Sequence, residues 1–166
     1  MNIRKYAKED IPALLAIWNE VVETGNAFPQ EEPLDEQKGA AFFAAQSRTA
    51  VAEDENGAVL GLYILHPNNV GRCAHIANAS YAVSSAARGR HIGEALVRDS
   101  LKTAFGLGFE ILQFNAVVES NLRARNLYER LGFRQLGTIP RGFRMKNGEL
   151  ANICPYLYDL REVRPQ

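Results

Sequence analysis

At 166 residues the chain is long enough to bury a sizeable core, and its length suits one domain, residues 1–166. Hydrophobic residues make up 46% and charged residues 23%, ordinary globular values, and 19 basic side chains balance 19 acidic ones. Zero formal net charge argues against an extended nucleic-acid surface, and no apolar run reaches membrane-spanning length.

The opening MNIRKYAKED carries no apolar segment of the secretory kind, so a cytoplasmic chain is expected. Its NIRKY reads as a short strand. Asp10 is placed to cap the helix IPALLAIWNEVVET (11–24), with Pro12 in its first turn and Leu14, Ile17, Trp18, Val21 and Val22 at helical spacing. TGNAFPQEEP is a breaker-rich loop, and LDEQKGAAFFAAQS reads as a weaker helix. In RTAVAEDENGAVLGLYIL, Asn56-Gly57 between apolar runs signals a type I′ hairpin. RCAHIANASYAV is a long strand, and residues 92–105 form a helix with Ile92, Leu96, Val97, Leu101 and Phe105 on one face. FEILQFNAVV is the next strand, NLRARNLYERLGF a helix stopped by Gly132, and GFRMKNGELANICPYLYDL an antiparallel pair turning at Asn147-Gly148. This order predicts a layered α/β domain with a mixed sheet and no linker dividing it. Cys73 and Cys154 lack metal-ligand spacing and read as buried thiols rather than a disulfide or a metal site.

The stretch AARGRHIGEAL carries the first chemical signal. A strand ends at Val83 and a helix begins near Ile92. The N–H groups of a helix start have no partner within the helix, and the dipole is positive there, so such an end binds anionic oxygens; Arg88 and Arg90 add charge. Gly89 and Gly93 do not match the dinucleotide fingerprint, and Glu94 breaks a P-loop. Residues 88–93 resemble the [Arg/Gln]-x-x-Gly-x-[Gly/Ala] turn of the GCN5-related N-acetyltransferases, with Arg88 first, Gly93 last and His91 in place of the middle glycine. The later segment ESNLRARNLYERLGF resembles that family's N-x-x-A-x-x-x-Y-[EK]-x-x-GF, matched by Asn121, Ala124, Tyr128, Gly132 and Phe133. Two motifs in the right order and context outweigh one.

The resemblance implies a fold: a splayed mixed sheet flanked by helices on both faces. It also implies acetyl coenzyme A as cosubstrate, with no metal. Its pyrophosphate would lie on Arg88, Gly89, Arg90, His91, Ile92, Gly93 and Glu94, and its pantetheine arm would pair with the backbone near Tyr81 and Val83. Tyr128 would meet the departing sulfur, and Asn121 would cap its helix, touch the coenzyme, or do both. As a plain residue, Tyr128 also reads as a core aromatic. Leu127 and Leu131, four apart, face the core.

Asn78 and Asn115 interrupt apolar strands, where asparagine is depleted and a buried amide needs partners. They read either as satisfied amides steadying a splay or as polar groups converging on a substrate. In enzymes resembling phosphinothricin and methionine-sulfone acetyltransferases a glutamate stands at the Asn78 position as general base; an amide cannot take that proton. The pair ANAS and QFNA also resembles acetyltransferases acting on azetidine-2-carboxylate, where two asparagines position the substrate. The expected acceptor is therefore a small amine: an amino acid, imino acid or analogue. The alternatives are a peptide or protein N-terminus, or a coenzyme-binding module without transfer. Members of the family are often dimers, which admits a homodimer. His75 is expected on the opposite sheet face from Asn78, His66 in solvent and Glu119 at the pocket mouth or serving a helix end. Arg141, Arg144 and Lys146 are candidates for a substrate carboxylate or plain exposed charge.

Overall fold

The computed structural model describes residues 1–163. Eight strands and four α-helices follow in the order β1 (Asn2–Lys5), α1 (Ile11–Thr24), α2 (Glu36–Ala44), β2 (Arg48–Glu53), β3 (Val59–Pro67), β4 (Ile76–Val83), α3 (Ile92–Gly106), β5 (Ile111–Val118), α4 (Leu122–Arg130), β6 (Arg134–Gln135), β7 (Ile139–Arg144) and β8 (Leu150–Asp159). They build one mixed sheet in the order β1-β2-β3-β4-β5-β8-β6, with β7 also on β8. Helices cover both faces. Leu14, Ile17, Trp18 and Val22 of α1 and Phe43 of α2 bury against Val51, Leu62, Ile64 and Ala82. Ile92, Leu96, Val97, Leu101 and Ala104 of α3 bury against Tyr63, Leu65, Ala79, Leu112 and Phe114 on the other face. The mixed, doubly covered sheet is the expected one.

Local chemistry explains most boundaries. Asp35 caps α2 by accepting from the Lys38 N–H at 2.7 Å. Asp10 does not cap α1 as expected; its carboxylate instead accepts from the Ala7 N–H and from Arg4, because β1 delivers a guanidinium beside it. Phe105 is not on the buried stripe of α3. At 100° per residue it falls about 40° outside the arc that Ile92 and Leu101 bound, and Ala104 takes the place. The Asn56-Gly57 turn is not type I′. Only Gly57 is left-handed (φ 80), and Asp54 accepts from the N–H groups of Asn56 and Ala58, the geometry of a type I turn followed by a glycine bulge. The strand expected from Arg72 begins at Ile76, because Gly71–Cys73 wind into a 3₁₀ turn, and that turn leaves Cys73 exposed rather than buried. Strand β6 has only two residues and too little pattern to be read from sequence.

The feature that makes a site is the junction of β4 and β5. These strands run parallel, yet only Ile76↔Ile111 and Ala77↔Leu112 pair; beyond them the strands diverge. A bulge in β5 at Asn115 and Ala116, between the Phe114↔Tyr156 and Val117↔Cys154 pairs, bends β5 away.

Candidate active site

Alternation shows which backbone groups the splay leaves open. The Ile76 carbonyl accepts from the Asn68 N–H and the Ser84 N–H donates to Leu60, so the even-numbered residues of β4 turn their polar groups toward β3. Those of Ala79, Tyr81 and Val83 therefore face the gap, beyond the last rung at Ala77. They form an unpaired strand edge inside the protein, ready for an extended ligand with amide groups.

At the end of this edge the chain turns through Ser85–Ala87 into α3. Gly89 (φ 82) and His91 (φ 58) are both left-handed. No side chain caps α3, and its first internal bond runs from the Ala95 N–H to the His91 carbonyl. The N–H groups of Ile92, Gly93 and Glu94 thus lack helical partners beside Arg88, a cradle suited to phosphate oxygens. Glu20 of α1 steadies the turn by accepting from the Ser85 N–H at 3.3 Å, and the Ser85 hydroxyl, with a smaller contribution from this N–H, holds its carboxyl below its ordinary pKa.

One cavity of about 350 Å³ collects ten of the thirteen residues expected to hold coenzyme or acceptor: Asn78, Tyr81, Val83, Arg88, Gly89, Ile92, Gly93, Asn115, Asn121 and Tyr128. Arg90, His91 and Glu94 do not line it. His91 is exposed, and the Glu94 carboxylate is engaged by Arg98 (2.8 Å) and Arg130 (2.6 Å), which hold it below its ordinary pKa; what Glu94 offers the cradle is its backbone N–H. Sequence reasoning missed Ala79, Ser80 and Arg123, and also Phe28 and Pro29 from the loop after α1. The Phe-Pro pair inside a breaker-rich loop was the available signal for the last two.

Three neighbouring tyrosines, their rings tilted to one another, differ in one respect. Tyr63 donates to Asp99 at 2.7 Å, and Tyr81 pairs with Ser100 at 2.7 Å. Tyr128, its ring 6.5 Å from that of Tyr81 and 4.5 Å from Phe114, makes no side-chain hydrogen bond among the described residues. Tyr128 lines the cavity. Burial, with a smaller contribution from Tyr156, raises its pKa above the ordinary phenol value, so it is a proton donor throughout the neutral range. Asn121 accepts from the Ala124 N–H at 3.2 Å, capping α4, and lines the cavity as well.

The asparagines sit where the sheet opens. Asn78 Nδ2 donates to the Gln113 carbonyl at 2.9 Å, occupying the rung just past Ala77↔Leu112. Because that partner is a carbonyl, the amide's orientation is set, and Oδ1 remains as an acceptor. Asn115, thrown outward by the bulge, pairs with Asn68. The cavity lining contains no carboxylate and no imidazole. His75 is exposed ahead of β4, with its carbonyl bound to the Glu110 N–H, and His66 has its ring against the Pro67 carbonyl. Glu119 accepts from Asn152 at 2.9 Å. Lys146 is not a free cation: its ammonium donates to the Glu23 carbonyl at the end of α1. Among the described residues no His/Cys/Asp/Glu group could hold a metal, and no helix is long and apolar enough to cross a membrane.

A sheet splayed beside an uncapped helix start, lined by a tyrosine that makes no side-chain hydrogen bond among the described residues, fits an acyltransferase that draws on an acyl coenzyme. Residues 14–133 match the Acetyltransferase (GNAT) family, and the chain belongs to it. It is 30% identical to the N-acetyltransferase aca1 of Schizosaccharomyces pombe, over 91% of this chain and 80% of that one. It is also 30% identical to an L-methionine sulfoximine/L-methionine sulfone acetyltransferase of Pseudomonas paraeruginosa, over 84% and 83% of the two chains. Among solved structures, a GCN5-related N-acetyltransferase from Kribbella flavida superposes with a TM-score of 0.88 at 36% identity, covering 95% of this chain and 96% of that one. The fold is shared too by a Sinorhizobium meliloti phosphinothricin acetyltransferase in complex with acetyl coenzyme A (TM-score 0.89, 24% identity, 99% and 92% covered).

Proposed function

We propose that this chain, as a single unit over residues 1–166, moves the acetyl group of acetyl coenzyme A to the amine of a small carboxylate-bearing molecule, an amino acid, imino acid or analogue. The observation that carries this reading is the amide-rich mouth of a cavity without a carboxylate or imidazole, where Asn78 and Asn115 stand on the two diverging strands. A site without its own base favours an acceptor that arrives neutral. The reference pKa of about 8 belongs to a chain-terminal α-amino group; in a free amino or imino acid the neighbouring carboxylate raises it toward the lysine value of about 10.4, so such an acceptor reacts through a small neutral fraction that grows with pH. The sulfoximine and sulfone substrates named for the Pseudomonas relative are amino acid analogues and agree with this choice.

The residues divide the work. Arg88 and the N–H groups of Gly89, Ile92, Gly93 and Glu94 hold the pyrophosphate, and Arg90 and His91 flank the turn. The open edge at Ala79, Tyr81 and Val83 pairs with the pantetheine arm, and a β4 N–H facing the gap supports the developing oxyanion. Acetyl coenzyme A, when bound, supplies the activated acyl group. Asn78 Oδ1 accepts from the acceptor's N–H and aims its lone pair; Asn115 holds the acceptor's polar end. As the C–N bond forms and the C–S bond breaks, the proton shed by the acceptor nitrogen passes through solvent to the departing thiolate, Tyr128 steadies that sulfur by donating a hydrogen bond to it, and Asn121 keeps α4 in place for it. Proximity and orientation contribute most of the rate.

The test is release of free thiol from acetyl coenzyme A with a panel of amino acids, cyclic imino acids, drug-like amines and a peptide. Turnover with one of the small carboxylate-bearing amines is expected. Turnover with the peptide alone would redirect the reading to chain termini. Coenzyme binding with no amine-dependent thiol release across the panel would make the chain a binding module.

A further inference from the structure

We infer that Asn68, in the connection after β3, is a positioning residue of the acceptor site and acts through Asn115. The inference rests on the amide site proposed above. Asn68 is tied to the sheet by its own backbone: its N–H donates to the Ile76 carbonyl at 2.7 Å, the point where β4 still pairs with β5. From there its side chain reaches across to β5. Asn115 Nδ2 donates to Asn68 Oδ1 at 2.6 Å, and Asn68 Nδ2 donates back to Asn115 Oδ1 at 3.1 Å. Gln113 Nε2 adds a third bond to Asn115 Oδ1 at 3.1 Å.

The bulge explains why such a clamp is needed. It turns Asn115 outward onto the exposed rim of the cavity, where an unheld amide would sample several rotamers. The reciprocal amide pair is satisfied equally well with both side chains rotated by half a turn, provided Gln113 turns its amide with them, so what the cluster fixes is the plane and place of the Asn115 amide. Asn78 needs no such partner because the Gln113 carbonyl holds it directly. Placing the acceptor nitrogen against the thioester needs both amides set, since small misplacements cost large factors in rate. The bonds at Asn115 are surface bonds, worth little to folding. Their worth is in orientation.

The test is a double-mutant cycle on the active enzyme, with the best acceptor from the panel. Asn68→Ala and Asn115→Ala are each expected to lower kcat/KM for the acceptor by about tenfold while leaving KM for acetyl coenzyme A unchanged. The double variant is expected to be no worse than Asn115→Ala alone. Independent, multiplicative losses would overturn the inference. So would an Asn68→Ala enzyme with normal acceptor kinetics beside an impaired Asn115→Ala enzyme. If Asn115→Ala is itself silent, the amide reading of the acceptor site fails, and the role of Asn68 falls with it. A readout free of catalysis accompanies the cycle: in Asn68→Ala the side-chain amide resonances of Asn115 collapse toward solvent-exposed values, and unmoved resonances would contradict the clamp. Asn68→Asp, which can still accept from Asn115 Nδ2, retains more activity than Asn68→Ala.

Discussion

At the scale of single residues, Tyr128 and His91 carry the sharpest expectations. Tyr128 is set apart from Tyr63 and Tyr81 by a hydroxyl with no side-chain partner among the described residues. A thiol is already a fair leaving group, with a pKa of about 8.5, so the proton that Tyr128 offers helps modestly. Tyr128→Phe should lower kcat by about tenfold with unchanged coenzyme affinity, measured by steady-state kinetics and calorimetric binding. His91 stands at φ 58, a conformation that costs a residue with a Cβ about 1 kcal/mol, and its ring is exposed. His91→Gly should therefore raise stability by about 0.5–1 kcal/mol in chemical denaturation and leave coenzyme binding unchanged or tighter. Weaker binding would mean that the ring touches phosphate. The residue motifs were legible in the sequence because each is local. The turn at 88–93 and the Asn121-to-Phe133 segment each lie within one loop or helix, and Asn121 does cap α4.

At the scale of elements, ladders and caps decide what the motifs can do. Arg4 from β1 meets Asp10 at 2.7 Å and keeps the Asp10 carboxyl below its usual pKa, chiefly through their hydrogen bond. A depressed carboxyl stabilises the fold above its unfolded pKa of about 3.9 and loses that contribution as pH falls through the lower folded value. Asp10→Asn should cost about 1–2 kcal/mol at neutral pH and flatten the acid side of the stability profile, checked by denaturation between pH 2 and 7. On β7, a Cβ added to Gly142 would stand 2.6 Å from Ile153 Cγ1, beside Arg141 in the left-handed region at φ 57. Gly142→Ala should cost about 1–3 kcal/mol in thermal or chemical unfolding. Neither contact was legible. Asp10 looked like a helix cap because its local pattern fits one, and only the return of β1 beside it supplies the guanidinium that wins. In the same way Glu94 looked like part of the phosphate turn until Arg130, on another helix, drew its carboxylate away.

At the scale of the whole molecule, the sheet brings together two faces. Asn78, Ser80 and Asn115 line the cavity along with Phe28 and Pro29 from the loop after α1, while the α3 cradle and Tyr128 belong to the elements covering the other face. The gap between β4 and β5 joins them, and it contains no base. The pH dependence of the reaction should accordingly belong to the acceptor. For a free amino acid acceptor, kcat/KM should rise about tenfold per pH unit up to the acceptor's own amine pKa, above the chain-terminal value of about 8, and level off there. No fall should appear up to about pH 10, because burial keeps the Tyr128 phenol protonated past its ordinary value of about 10. A fall in rate between pH 8 and 9 would show that a protein group titrates in the reaction. Tyr128→Phe should leave the acid limb in place.

Strand and helix periodicity, the glycine stops and two short motifs determined by themselves the order of elements apart from β6, the mixed sheet and the family resemblance. These depend on backbone propensities and side-chain spacing within a few residues, which a linear sequence carries in full. Only the tertiary structure decided where β4 and β5 part, which backbone groups that parting frees, that the tyrosine hydroxyl without a partner is Tyr128, and that Asn68 lies against Asn115. Those features arise from bonds across large sequence separations: Asn68 to Asn115, Asn78 to Gln113 and Glu94 to Arg130. Each is settled by which strands and helices pack side by side, and a short window of sequence holds only one partner of each pair.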